Sequence, residues 1–285
     1  PKPSSAASDV YKRQMLKCTT PTLQHISYKH GKIAYREMGE GPVLFLLHGM
    51  NGNSQSWANL FYSLSSSYRI IAWDAPSFGD SDMFGDSIDE YKNAAKALLK
   101  SLNVNNVILI GHSMGGLVAT QLADDNEISS DGLILSSTHL GFGLKKGQEL
   151  IERYSNRIKA LKTRTSKLDY AINRTRRNTS KDTPEEVIQF LANIATDLRV
   201  ESIRDGGRMS QEADNTNICN NLNIPVLILS GGKDKVISTD MHAALAAAIP
   251  GAKKVVFPNA GHASFAECAD QFNDHVKNFA EKVWG

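Results

Sequence analysis

One serine in this 285-residue chain is set among glycines, in Gly111-His112-Ser113-Met114-Gly115-Gly116. A serine hydroxyl is a weak nucleophile until a base takes its proton, so its surroundings decide whether it reacts. Residues 106–110, just before it, are mostly apolar and β-branched and read as a buried strand; residues 117–123, just after, read as a helix. Strand, tight turn and helix together are the setting of a nucleophile elbow, which lifts the hydroxyl clear of a sheet. Gly111 and Gly115 lack the bulk that would crowd such a turn, and the helix presents its positive end to developing negative charge. The chemistry this suits is covalent attack on a carbonyl. His262, on the loop Pro258-Asn259-Ala260-Gly261-His262 after a predicted strand at 253–257, is the candidate base. Asp234, in Gly231-Gly232-Lys233-Asp234 after a predicted strand at 224–230, is the candidate acid that holds the imidazole in one tautomer. Ser, Asp and His in that chain order, each past the C-terminal end of a strand, form a coherent set. The glycine-containing loop His48-Gly49-Met50-Asn51-Gly52-Asn53 supplies a place for an oxyanion; the backbone N–H groups of Met50 and Met114 are the expected donors. Asp74 also ends a predicted strand, but bracing a tight loop through backbone N–H groups is the favoured reading for it.

The elements that must carry these residues are legible in outline. Residues 25–30 and 32–38 alternate around Gly31 as an antiparallel pair. Apolar runs at 43–47, 68–73 and 132–135 add strands, and 88–102 and 268–283 have the spacing of amphipathic helices. Ser54 or Ser56 is expected to cap a helix reaching Leu64, and Ser238 with Asp240 to open one reaching Ile249. Asp182-Thr183-Pro184-Glu185-Glu186 reads as an N-cap with proline in the first turn. Between strands, residues 145–208 are helical in pattern and carry 15 Lys and Arg against 9 Asp and Glu. That excess reads first as solvated helix faces, with attraction of anionic substrates as the alternative. Phe142, Leu144, Phe190 and Leu191 are candidates to line an acyl pocket, although packing is the commoner role for such residues.

A net charge of +2 gives no sign of a nucleic-acid partner, and no apolar run approaches the roughly 18 residues of a membrane span. Cys18, Cys219 and Cys268 are too few and too scattered for a disulfide framework or a zinc site, which suits a cytoplasmic protein. Residues 1–14 lack periodicity, and 9–14 back-translate to a transposase adaptor used in sequencing libraries. They are read as a disordered leader, with Met15 as the start.

Together the motifs resemble the serine members of the α/β-hydrolase superfamily, in its carboxylesterase and enol-lactonase branch. The matching pieces are His48-Gly49, Asp74-x-Pro76-x-x-Gly79-x-Ser81, Gly111-His112-Ser113-Met114-Gly115-Gly116, Gly232-x-Asp234, and Gly261-His262 with Glu267 five residues on. They run in order from about residue 33 to the C-terminus. The resemblance implies an α/β fold: an eight-stranded, mostly parallel sheet with helices on both faces and an inserted helical lid. Residues 15–138 and 212–285 would form the core and 139–211 the lid. It implies a Ser113, Asp234, His262 triad, with His48, Gly49, Asp74, Gly111, His112, Gly115 and Glu267 supporting it, and no metal or cofactor. Dehalogenase and epoxide-hydrolase branches carry Asp where Ser113 stands, which disfavours those reactions. Ser77 departs from the family, which usually has Gly after Pro76. The expected substrate is a small carboxylic ester or lactone. The alternatives are C–C hydrolysis of a ring-cleavage dienoate, cofactor-free peroxidase or thioesterase chemistry, and a small-molecule receptor that hydrolyses slowly.

Overall fold

The computed structural model describes residues 20–285; the leader at 1–14 and Cys18 lie outside the described residues. Strands β1 (Leu23–Tyr28) and β2 (Gly31–Met38) pair antiparallel, Leu23 opposite Arg36 and Tyr28 opposite Gly31. Six more follow: β3 (Val43–Leu47), β4 (Arg69–Trp73), β5 (Asn106–His112), β6 (Ser129–Ser136), β7 (Val226–Gly231) and β8 (Lys253–Phe257). The sheet order is β1-β2-β4-β3-β5-β6-β7-β8, antiparallel as far as the β2–β4 pair and parallel beyond it. The predicted strands are all present, with ends displaced by a few residues.

The strands read as unbroken apolar runs because both faces of the sheet are covered. Phe45, Leu47, Ile71, Leu109 and Leu135 point into one core. Leu44, Leu46, Ile70, Ile110 and Ile134 point into the other. Burying each such side chain contributes about 1.5–3 kcal/mol. Helix α1 (Ala58–Leu64) covers the second face, and α2 (Ile88–Ser101) and α3 (Met114–Ala123) cover the first. Between β6 and β7 run α4 (Glu152–Thr163), α5 (Lys167–Asn178), α6 (Glu185–Ala195), α7 (Val200–Glu212) and the short α8 (Thr216–Asn221). Of these, α4 packs on α7 and α5 on α6. Helix α9 (Thr239–Ala248) precedes β8, and α10 (Ser264–Glu267) and α11 (Ala269–Trp284) end the chain on the second face.

Two helix starts differ from expectation. Asn53, not Ser54 or Ser56, caps a 3-10 turn at Ser54–Trp57 that leads into α1, and the Ser56 hydroxyl completes a capping box by accepting the Asn53 N–H. Pro184 itself occupies the cap position of α6, where its ring offers no side-chain bond, and the Asp182 carboxylate pairs with Lys233 at 2.9 Å. Ser238 caps α9 as expected, and Ser87 caps α2. No helix among the described residues is long and apolar enough to cross a membrane.

Candidate active site

Strand β5 lies between β3 and β6, so the loop after β3 and the turn after β6 both reach Ser113. Ser113 has φ 52° and ψ −118°. A residue with a Cβ pays roughly 1–3 kcal/mol to be held in such a conformation. Three bonds keep it there: its N–H donates to the Ser136 carbonyl at 2.9 Å, and its own carbonyl accepts from the Gly116 N–H at 2.9 Å and Thr138 Oγ1 at 2.7 Å. The flanking positions leave no room for side chains. A Cβ on Gly111 would sit 2.6 Å from the Gly115 carbonyl oxygen, and one on Gly115 would overlap the Leu47 carbonyl.

Asp234 and His262 arrive on the loops after β7 and β8. His262 Nδ1 lies 2.9 Å from Asp234 Oδ2. A carboxylate can only accept, so Nδ1 carries the proton and Nε2 keeps its lone pair. Asp234 Oδ1 accepts the N–H groups of Val236 and Ile237 at 2.7 and 3.1 Å, and the carboxylate is 1% exposed. Burial alone would raise its pKa; His242, whose Nε2 stands 3.5 Å away, together with His262 and the Val236 N–H, outweighs that and holds the group well below the usual carboxylate range. His242, on α9, has no sequence signal linking it to this site.

The His262 loop is gripped from the other side by the segment between α5 and α6. The His262 N–H donates to the Asn178 carbonyl at 2.8 Å. Glu267 Oε2 accepts from the Ser180 N–H at 2.8 Å, the Thr183 hydroxyl at 2.7 Å and the Gly261 N–H at 2.9 Å, while Oε1 accepts from the Ala263 N–H at 3.0 Å. Gly261 does not have a positive φ; a Cβ there would lie 2.6 Å from the Ser180 nitrogen, so its role is close approach.

His48 and Asp74 brace the loop after β3. The His48 Nδ1–H donates to the Gly49 carbonyl at 2.8 Å, and Nε2 accepts the Ala75 N–H at 2.9 Å, which leaves the ring neutral; burial lowers its pKa. Asp74 Oδ1 accepts the Ser54 N–H at 2.7 Å and Oδ2 the Asp80 N–H at 2.9 Å. Ser77 has φ 70°, the conformation that favours Gly, and its hydroxyl compensates by donating to Asp205 Oδ2 at 2.6 Å.

Met50, Ser113, Met114, His139 and His262 border one cavity of about 90 Å³. A water needs roughly 10–15 Å³ on this measure, so the space suits a small acyl group. Among the described residues neither Met50 nor Met114 donates its N–H to another protein group, and both remain available to an oxyanion. The His112 ring stands behind, 4.8 Å from that of His262, and burial pushes its pKa well below the usual value. His139, which the sequence did not single out, accepts the Gly141 N–H through Nδ1 at 3.0 Å; burial pushes it down to about 4, so the neutral ring keeps a proton on Nε2. Leu191 also borders the cavity, whereas Phe142 packs on His139, and Leu144 and Phe190 do not line it. Arg153, Arg157 and Arg174 do.

A family model described as the alpha/beta hydrolase fold matches residues 42–268. A 2-hydroxy-6-oxononadienedioate/2-hydroxy-6-oxononatrienedioate hydrolase of a Pseudomonas species is 27% identical over 273 residues, covering 88% of this chain and 92% of that protein. A pimeloyl-acyl-carrier-protein methyl ester esterase of Proteus mirabilis is 25% identical over 259 residues, 88% of this chain and 98% of its own length. Among solved structures, the enol-lactonase of Burkholderia xenovorans superposes with a TM-score of 0.80 at 22% identity, over 90% of this chain and all of that one, a likeness of fold.

Proposed function

The chain belongs to the α/β-hydrolase family, and on that footing we propose that it hydrolyses a small carboxylic ester or lactone through Ser113, His262 and Asp234. The observation that carries the reading is the left-handed Ser113 facing the same cavity as His262, whose Nδ1 is tied to a buried carboxylate. Ser113 Oγ attacks the carbonyl carbon while His262 Nε2 takes its proton. The oxyanion is held by the N–H groups of Met50 and Met114; losing one such donor typically costs on the order of 3 kcal/mol in the transition state. The C–O bond then breaks, and the leaving oxygen takes the proton from His262, leaving an acyl-serine. Water, deprotonated by His262, attacks the acyl carbon and restores the serine, with release of a carboxylic acid. From a lactone the alcohol stays on the acyl chain. Asp234 stabilises the imidazolium without itself being protonated.

In this reading residues 15–138 and 212–285 form the catalytic unit and 139–211 act as its lid. The α/β-hydrolase relative that cleaves an oxo-dienedioate supports a second reading, C–C bond hydrolysis with the same triad. Hydrolysis of p-nitrophenyl acetate, butyrate and octanoate, with fluorophosphonate labelling of wild type and Ser113→Ala, tests the proposal. Turnover of the short esters and labelling are expected, both lost in Ser113→Ala. Labelling that persists at another residue refutes the serine assignment, and absence of ester turnover with cleavage of a dienoate selects the second reading.

A further inference from the structure

The cavity at Ser113 adjoins a larger one of about 650 Å³, and the two share Arg153, Arg157 and Arg174. Arg177 and Lys235 line the outer space as well, and neither lining contains an Asp or Glu. Of the other arginines, Arg69 pairs with Glu37, Arg176 with Glu185, Arg204 with Asp205 and Arg208 with Asp86, while Arg36, Arg164 and Arg199 donate to backbone carbonyls. The three at the shared boundary have no carboxylate within ion-pair distance among the described residues. Arg157, on α4, is 8% exposed. It donates from Nη1 to Met50 Sδ at 2.9 Å and from Nη2 to Asn51 Oδ1 at 2.6 Å, and its buried Nε has no partner. Arg174, on α5, has a buried Nε without a partner and makes no ion pair. Arg153 donates to the Val236 carbonyl at 3.2 Å and lies over the rings of Phe142 and Tyr154.

Burying a cation without a counter-charge costs several kcal/mol, and placing a second beside it costs more. Burial, with the Arg174 charge adding to it, pushes Arg157 down to about 10, still charged at neutral pH. The missing negative charge is one that a ligand supplies. We propose that Arg157 and Arg174, with Arg153 at the mouth, form a carboxylate subsite. The substrate is then an ester or lactone bearing a second carboxylate beyond its acyl chain. This rests on the acyl-transfer reading of Ser113. Planar guanidinium forks suit carboxylate and phosphate alike, but α5 turns its C-terminal end toward this region, with Arg177 and Asn178 of its last turn lining the outer space. The partial negative charge of a helix C-terminus suits a monoanion better than a phosphate dianion.

The test compares monomethyl glutarate with methyl pentanoate, which differ by a carboxylate in place of a methyl group. Methanol release is followed for wild type, Arg174→Gln, Arg157→Gln and Arg157→Lys, and thermal melting checks that each is folded. Wild type is expected to favour monomethyl glutarate. The ratio of the two kcat/KM values is expected to fall about tenfold or more in Arg174→Gln and Arg157→Gln, mainly through KM, with Arg157→Lys between. A ratio that stays constant, or a wild type that prefers methyl pentanoate, overturns the subsite. If neither ester is turned over, the acyl-transfer reading fails and the subsite is read separately, by calorimetric binding of monomethyl glutarate to Ser113→Ala. Binding weakened about tenfold or more by adding Arg174→Gln supports it; no binding, or inorganic phosphate competing more tightly, overturns it.

Discussion

Asp234 has more partners than one histidine requires. Its two oxygens take His262 Nδ1 and two backbone N–H groups, and His242 stands at 3.5 Å. An amide in its place reverses the polarity of one of those contacts and removes the charge that stabilises the imidazolium. Asp234→Asn is therefore expected to lower kcat by on the order of 10³–10⁴-fold with the fold retained. A loss below tenfold in steady-state hydrolysis would remove Asp234 from the proposed set. At this scale the sequence was legible where local backbone chemistry marks a position: Ser113 between glycines, His262 after Gly261, and Asp74, whose bracing bonds match the role favoured for it. His242 and His139 left no mark, because their placement depends on distant segments rather than on neighbours in the chain.

Among elements, α4 shows both what was readable and what was overlooked. It buries Tyr154, Arg157 and Leu161, so an arginine stands on the apolar stripe of the helix at spacings of three and four. That pattern was in the sequence, but the bulk excess of charge over residues 145–208 obscured it. At α6 the expected capping carboxylate of Asp182 pairs with Lys233, a residue distant in sequence, and Pro184 stands in the cap position. Glu267 ties two elements together, taking the Ser180 and Thr183 donors from one and the Gly261 and Ala263 donors from the loop of the proposed base. Glu267→Ala strands those N–H groups, each worth about 1–3 kcal/mol if left buried and unpaired. We expect a lower melting temperature and a kcat reduced tenfold or more with KM little changed, with Glu267→Gln recovering part of the loss. A parallel loss of KM and kcat, or none, would argue against a role in holding His262.

For the whole molecule, the sheet was the most legible feature, since unbroken apolar strands and amphipathic helices dictate a covered parallel sheet whatever the details. The cavity was not, because segments more than eighty residues apart assemble it. The molecule also encloses three histidines, His48, His112 and His139, whose pKa values burial lowers, the last to about 4. Unfolding returns each toward 6.5. For His139, between 6.5 and about 4 the unfolded chain thus binds a proton that the folded one does not, and stability falls as pH falls, by up to about 1.4 kcal/mol per pH unit; His48 and His112 act in the same direction. Urea midpoints are expected to be level from pH 8 to about 7 and to decline from about 6.5 downward. A midpoint unchanged between pH 7 and 5 would mean that these rings are not held neutral.

The positive φ of Ser113 has a consequence for descent. Glycine adopts that conformation without steric cost, and what it loses in chain entropy, about 0.4–1 kcal/mol, is less than the roughly 1–3 kcal/mol of strain it relieves. Gly111 and Gly115 face the opposite situation, since any side chain there meets backbone. In a lineage under pressure only to remain folded, mutation would therefore erase the serine while preserving the glycines that frame it. The fold itself gives the serine no protection at this position; only a requirement for its hydroxyl would.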